Sequence, residues 1–284
     1  MPGAPPLLWI ACCGDDRSNV LIEMLEQHEL CRVIELGSLA PAEAEALVSA
    51  LLPTDAHSHL PAITREAQGN PLFLTQLARY LRDRPGGETV SLDGMLRDQI
   101  AELSDGSRRL LKTIAIAGRP LEPAILARAA QVTTNPQTEF ALLRSAALIR
   151  THGDREIDTV SVQHERVRDA VLSGMSEREL AEQHLALAVE LSVSDPSDAE
   201  AIADHYRDAG DTAAAARYAA LAANQAASAL AFDRAARLFH MTLELGGHDA
   251  ETERFFRRRL ADALAYAGRG AQAAQAYQAV AELA

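Results

Sequence analysis

From Asp195 to Ala284, 30 of 90 residues are alanine. Alanine is the best helix former and has no bulk to hold neighbouring helices apart. A stretch of this composition points to helical hairpins stacked at close distance. Aromatic residues make up only 4% of the chain, so aliphatic side chains and alanine must fill the interior throughout. At 284 residues, 48% apolar and 24% charged, the chain is long enough for more than one ordinary globular core.

The basic residues are nearly all arginine: Lys112 is the one lysine among 27 cations. It lies in an apolar run, after Leu111. A P-loop needs a Gly-Lys-Ser/Thr triplet, so none exists within these residues. The net charge of −13 argues against a broad phosphate-binding surface. No run approaches the roughly 18 apolar residues of a membrane span. Met1 to Cys13 lacks the basic start and cleavage site of a signal peptide. Cys12, Cys13 and Cys31 are an odd, sparse set, as expected of a reducing cytoplasm.

Leu7 to Cys13 (LLWIACC) reads as a strand buried on both faces, and Arg32 to Leu36 as a second short strand. Val20 to Leu30 reads as a helix. Two strands cannot build an α/β domain, so residues 1–37 look like the end of one. Pro41 then opens a helix over Ala42 to Leu52, with Glu43 and Glu45 near its positive end. His57 to Gln68 and Leu72 to Arg82 form two more helices, separated by Gly69-Asn70-Pro71. Arg84-Pro85-Gly86-Gly87 is a linker. In residues 87–175, helices over Leu92 to Leu103, Ser107 to Ala117, Pro123 to Ala130 and from Pro136 to near Ser145 precede a β-hairpin. Its arms are Ala147 to Arg150 and Thr159 to Val162, and a further helix starts near His164. Helices followed by such a hairpin suggest a winged-helix domain.

Ser176-Glu177-Arg178-Glu179 is a capping box that opens residues 176–284. Tyr206-Arg207-Asp208-Ala209-Gly210-Asp211 is similar to Tyr266-Ala267-Gly268-Arg269. An alanine-rich helix bearing a tyrosine (Tyr218, Tyr277) follows each, and Ala231-Phe232 opens a related helix. These resemble tetratricopeptide units of about 34 residues. The fold class expected is therefore mostly α: a remnant of an α/β core, a helical lid over residues 38–86, a winged helix, and an α-solenoid of hairpins.

The order Leu36-x-x-Leu39-x-Pro41-x-Glu43-Ala44, then Gly69-Asn70-Pro71-Leu72-Phe73-Leu74, winged helix and repeats resembles STAND-class signalling ATPases. These occur in bacterial transcriptional activators and behind protein-kinase or cyclase domains. The resemblance implies that Gly69, Asn70 and Pro71 lie against an adenine. It implies that Arg17 senses a γ-phosphate, and that His164 holds the β-phosphate of ADP in the off state. Proline gives a rigid apolar wall, glycine a close backbone approach, and arginine a forked permanent cation. Each position also has an ordinary reading. The Gly-Asn-Pro run makes a helix–helix turn, Arg17 pairs with Asp15 or Asp16, and His164 enters a helix. A Walker B assignment for Leu7 to Asp16 is disfavoured, because Gly14 interrupts the strand and the lid motifs follow too soon.

ATP or ADP is accordingly expected only if a P-loop half is supplied, and no ATP hydrolysis is expected from these residues alone. The chain looks like the distal half of such an ATPase. The expected partner is a protein bound on the repeats, with homo-oligomers in the full-length context. His57-Ser58-His59 places its rings about 200° apart on a helix, so no metal site is expected. From Leu92 to Asp169 there are 11 basic and 11 acidic residues, unlike the basic face of a DNA reader. Two alternatives stand beside the ATPase reading: a plain protein-binding scaffold, and a winged-helix DNA regulator. Arg254 to Arg259 (RFFRRR) is locally basic and reads as a solvated helix face.

Overall fold

The computed structural model describes residues 32, 34–84, 91–153 and 158–281. Its chain forms two compact units, 1–88 and 89–284. The strand expected at Leu7 to Cys13, the helix at Val20 to Leu30 and Arg17 lie outside the described residues. Residues 32 and 34–36 carry no regular structure, and Ile34 and Leu36 are 70% and 92% exposed. The expected strand there has no neighbour among the described residues, and an unpaired strand leaves its backbone ladder to water.

In the first unit, α1 (Pro41–Leu51) starts at a proline, with the Glu43 carboxylate accepting the Ala40 N–H at 3.0 Å. It packs on α2 (Leu60–Ala67) and α3 (Pro71–Asp83). Val48, Ile63, Leu74 and Leu77 are wholly buried among them. The helix read from His57 onward is two pieces. A 3₁₀ helix spans Thr54–His59, and the α-helix begins only at Leu60. Pro61 is the cause: a proline fits the first turn of a helix but breaks its interior.

The second unit opens with α4 (Leu92–Glu102), α5 (Asp105–Ala117), α6 (Pro123–Ala129) and α7 (Pro136–Ser145). Strands β1 (Ile149–His152) and β2 (Thr159–Val162) pair antiparallel, Ile149 opposite Val162. Leu121 adds a third edge by exchanging both backbone hydrogen bonds with Val160, at 2.8 and 3.1 Å. Helix α5 is the centre, burying Leu110, Leu111, Ile114 and Ala115. It contacts α6, α7, β2 and α8 (Glu165–Ser173).

Helix α9 (Glu177–Ser194) begins with the expected capping box: Ser176 and Glu179 satisfy each other's backbone N–H groups. It packs on α5 and α6 and also on α10 (Ala199–Asp208). Then α11 (Thr212–Ser228), α12 (Phe232–Leu245), α13 (Ala250–Tyr266) and α14 (Gly270–Ala281) each pack on the preceding helix. The protein is thus mostly helical and ends in a solenoid-like stack. Every buried residue of α11 is alanine: 215, 216, 219, 222, 223 and 226. The alanine content seen in the sequence is therefore spent on helix–helix contact.

Three joints of the stack share one hydrogen-bond pattern. Asp211, Ala231 and Arg269 donate their N–H groups to Tyr206, Ala226 and Leu264, each at 2.9 Å. The residue before each donor is left-handed: Gly210, Leu230 and Gly268. This is the Schellman ending, for which glycine is the unstrained choice. Leu230 holds it at φ 60° while 72% exposed. Leu230→Gly is expected to stabilise the protein by up to about 1 kcal/mol, by removing left-handed strain. A thermal melt showing a lower midpoint would contradict this.

Candidate functional site

Gly69-Asn70-Pro71 is a helix–helix turn in which every residue has a local task. Gln68 and Gly69 are both left-handed, at φ 49° and 74°. The Gly69 carbonyl accepts the Leu39 N–H at 2.9 Å. A Cβ on Gly69 would lie 2.6 Å from the Leu39 carbonyl oxygen. The close backbone approach that glycine permits is therefore made by Leu39. Asn70 caps α3, its Oδ1 accepting the Leu72 N–H at 3.0 Å, and Pro71 is the first helical residue. Gly69 thus ties Leu39 to the turn, and Asn70 and Pro71 start α3.

His164 sits where β2 leads into α8. Its ring Nδ1 accepts the Arg166 N–H at 3.1 Å, so the imidazole serves as the helix cap. A neutral ring that accepts at Nδ1 carries its proton on Nε2. That nitrogen is then a donor beside the positive end of a helix. Neighbouring cations are engaged in the frame. Arg166 pairs with Asp93 of α4 at 3.2 Å, and Arg168 pairs with Glu165 and donates to the Ala115 carbonyl, both at 2.9 Å.

Helix α7 presents little to a polyanion. Its Glu139 accepts hydrogen bonds from the Ser104 and Ser107 hydroxyls at the start of α5. Among the described residues no group of three or more His, Cys, Asp or Glu could hold a metal ion. None of the described helices is long and apolar enough to cross a membrane.

The joint between α9 and the stack carries polar chemistry that scattered single histidines do not announce. Nδ1 of His184 and Nδ1 of His205 meet at 3.0 Å, with the rings tilted and 5.2 Å apart. His205 is buried, and Asp208 approaches His184 at 4.0 Å. Arg119, after α5, pairs with Asp198 at the start of α10 at 3.0 Å. Lys112 reaches Glu179 at 2.7 Å, and Thr113 donates to Gln183 at 2.9 Å. The Lys112 hydrogen bond, with those from Ser176, holds the Glu179 carboxyl down at about 2. The single lysine is thus a structural cation. The spacing of His184 and His205 gives no sign of their meeting, because they lie on different helices.

No family profile matches the chain, and no curated protein matches it. Among solved structures, the crystal structure of a STAND protein with a tetratricopeptide repeat sensor from Pyrococcus horikoshii superposes with a TM-score of 0.53. The helical fold resembles that neighbour's. Identity is 16%, over 88% of this chain and 42% of that one, so the likeness is one of fold. The chain spans less than half the length of that neighbour.

Two outcomes follow from these sites. Gly69→Ala should destabilise the first unit by about 1–3 kcal/mol, through backbone strain and collision with Leu39. Amide exchange at Leu39 should accelerate, and unchanged exchange would refute the contact's importance. Burial first, then His184, lowers the His205 pKa from 6.5 to about 4, and burial also lowers that of His184. The folded state then binds fewer protons than the unfolded chain, so stability falls as pH drops from about 6.5 toward 4. The His205 part amounts to roughly 3 kcal/mol when complete. Urea unfolding across this range should show the loss, and His205→Gln should flatten it.

Proposed function

We propose that this chain is the regulatory portion of a STAND-type ATPase. In this reading residues 38–86 are the helical lid and residues 87–175 a winged helix. The stacked helices are a sensor for a protein partner. Binding on the stack is coupled through α9 to an ADP/ATP switch whose phosphate cradle lies on residues other than these. The observation that carries the reading is one of order. A Gly-Asn-Pro turn, a helix-and-hairpin domain with histidine at a helix start, and a helical stack succeed one another in a chain of STAND-like fold.

The winged-helix assignment is supported by Leu121, whose bridge to Val160 adds the small third edge to the β1–β2 hairpin. The nucleotide role of His164 is supported by its place at the start of α8, where backbone N–H groups and the helix dipole favour an anion. The role of Asn70 and Pro71 rests on the family resemblance and on a rigid turn able to present an apolar edge. The scaffold alternative is favoured by a different fact: Gly69, Asn70 and His164 each already perform a structural task.

Photolabelling separates the two. In a longer chain that supplies a P-loop, 8-azido-ADP is expected to label the peptide holding Asn70 and Pro71, with competition by ADP, whereas no labelling there favours the scaffold. The purified chain should turn over no ATP. Labelling that ADP does not suppress, or ATP turnover abolished by His164→Ala, would defeat this reading.

A further inference from the structure

We infer that the groove between α11, α12 and α13 docks a partner segment bearing an acidic side chain between apolar residues, with Arg259 as the anchor for its carboxylate. This deepens the proposed function, because it rests on the stack being a protein-binding sensor. A cavity of about 200 Å³ lies there, lined by Ser228, Phe232, Phe239, Arg259, Asp262 and Tyr266, among others. That volume is below the roughly 300–1,000 Å³ of pockets that hold whole small ligands, and it suits a single side chain.

The Arg259 guanidinium lies over the Phe239 ring, 5.5 Å from its centre, and one nitrogen donates to Asn224 at 3.2 Å. Its Nε is buried and has no hydrogen-bond partner among the described residues. No carboxylate among them neutralises it, whereas Arg234 and Arg237 share Glu200, Arg257 holds Glu253, and Arg269 holds Asp233. A part-buried guanidinium with an unmet donor, stacked on an aromatic ring, is matched by a carboxylate. Asp262 does not meet this need. It accepts the Tyr277 hydroxyl at 2.5 Å, from the α14 side.

The surroundings are those of a protein-binding patch. Phe255, Arg259, Asp262 and Tyr266 recur at helical spacing along one face of α13, about 16 Å long. Phe255 is 53% exposed, Tyr266 72% and Tyr277 42%. Twelve residues of the chain are Phe, Tyr or Trp, so leaving three in water on two adjoining helices is costly unless something covers them. Aromatic and arginine side chains dominate the binding energy of protein interfaces. Charge selects the partner: Arg254, Arg257, Arg258 and Arg259 put four cations within six residues of α13.

The test uses the whole 284-residue chain and a displayed library of nonapeptides with randomised flanks. Half have Glu or Asp at the centre and half Gln or Asn. Acidic members with apolar neighbours are expected to bind at least tenfold more tightly than their amide counterparts. Arg259→Met, which keeps the stem on Phe239, should erase that preference. Tyr266→Ala, at an exposed position, should weaken binding severalfold with an unchanged thermal melt. Peptides bound equally by wild type and Arg259→Met, or without regard to charge, overturn the acidic anchor and leave the sensor reading standing. No enrichment of any peptide overturns both. Self-association lost in Arg259→Met, without peptide binding, would replace the partner by a second copy.

Discussion

Helix α9 is the element on which the second unit depends, because it must satisfy two packing systems at once. Toward α5 and α6 its contacts are largely polar: Lys112 to Glu179, Thr113 to Gln183, and Arg128 to Glu190 at 2.6 Å. Its buried apolar residues are few, Leu187, Ala188 and Leu191. Toward α10 it offers His184, which shares a hydrogen bond with buried His205. Hydrogen bonds between fixed groups hold a helix at one register on its neighbours, because leaving them unmade in a buried joint is costly. The geometry of this joint is therefore set by directional contacts, and neutral histidines are part of it.

Beyond α9 the physics changes. From α10 to α13 the core is mostly alanine, with Leu238 and Phe239 as its larger members. Alanine loses no rotamer entropy on burial and lets backbones approach. Such an interior is tight but supplies little apolar area per residue. Aromatic pairs compensate locally, as where Tyr206 stacks on Tyr218 at 5.5 Å and Phe232 meets Tyr266 at 5.0 Å. The groove beside Arg259 opens at the second of these contacts, where a ring standing in water meets a side chain that lines the cavity. The same few large residues thus hold the stack together and line this cavity.

The candidate nucleotide residues illustrate how far motif reading reaches. Gly69, Asn70 and Pro71 were legible as a turn because their conformational preferences are intrinsic. What the turn touches was not legible, since Leu39 lies 30 residues away in sequence. His164 was legible as a helix entry. Its capping of Arg166, and hence its tautomer, needed the path of the backbone after β2. The helix expected from His57 begins only at Leu60, because Pro61 suits a first turn, and the first hairpin arm, expected at Ala147 to Arg150, lies at Ile149–His152, because Ala147 is left-handed.

The sequence by itself determined the helical content, the hairpin, the capping box at Ser176 and the close-packed tail, because these follow from propensity, periodicity and short-range hydrogen bonds. It also settled that no lysine within these residues could serve a P-loop. Only the tertiary structure decided that Lys112 ties α5 to α9, that His184 and His205 meet, that Leu121 joins the hairpin, and that Arg259 lies over Phe239. Each of these is a contact between elements distant in the chain. Composition and spacing say what a side chain can do, and packing alone says what it meets.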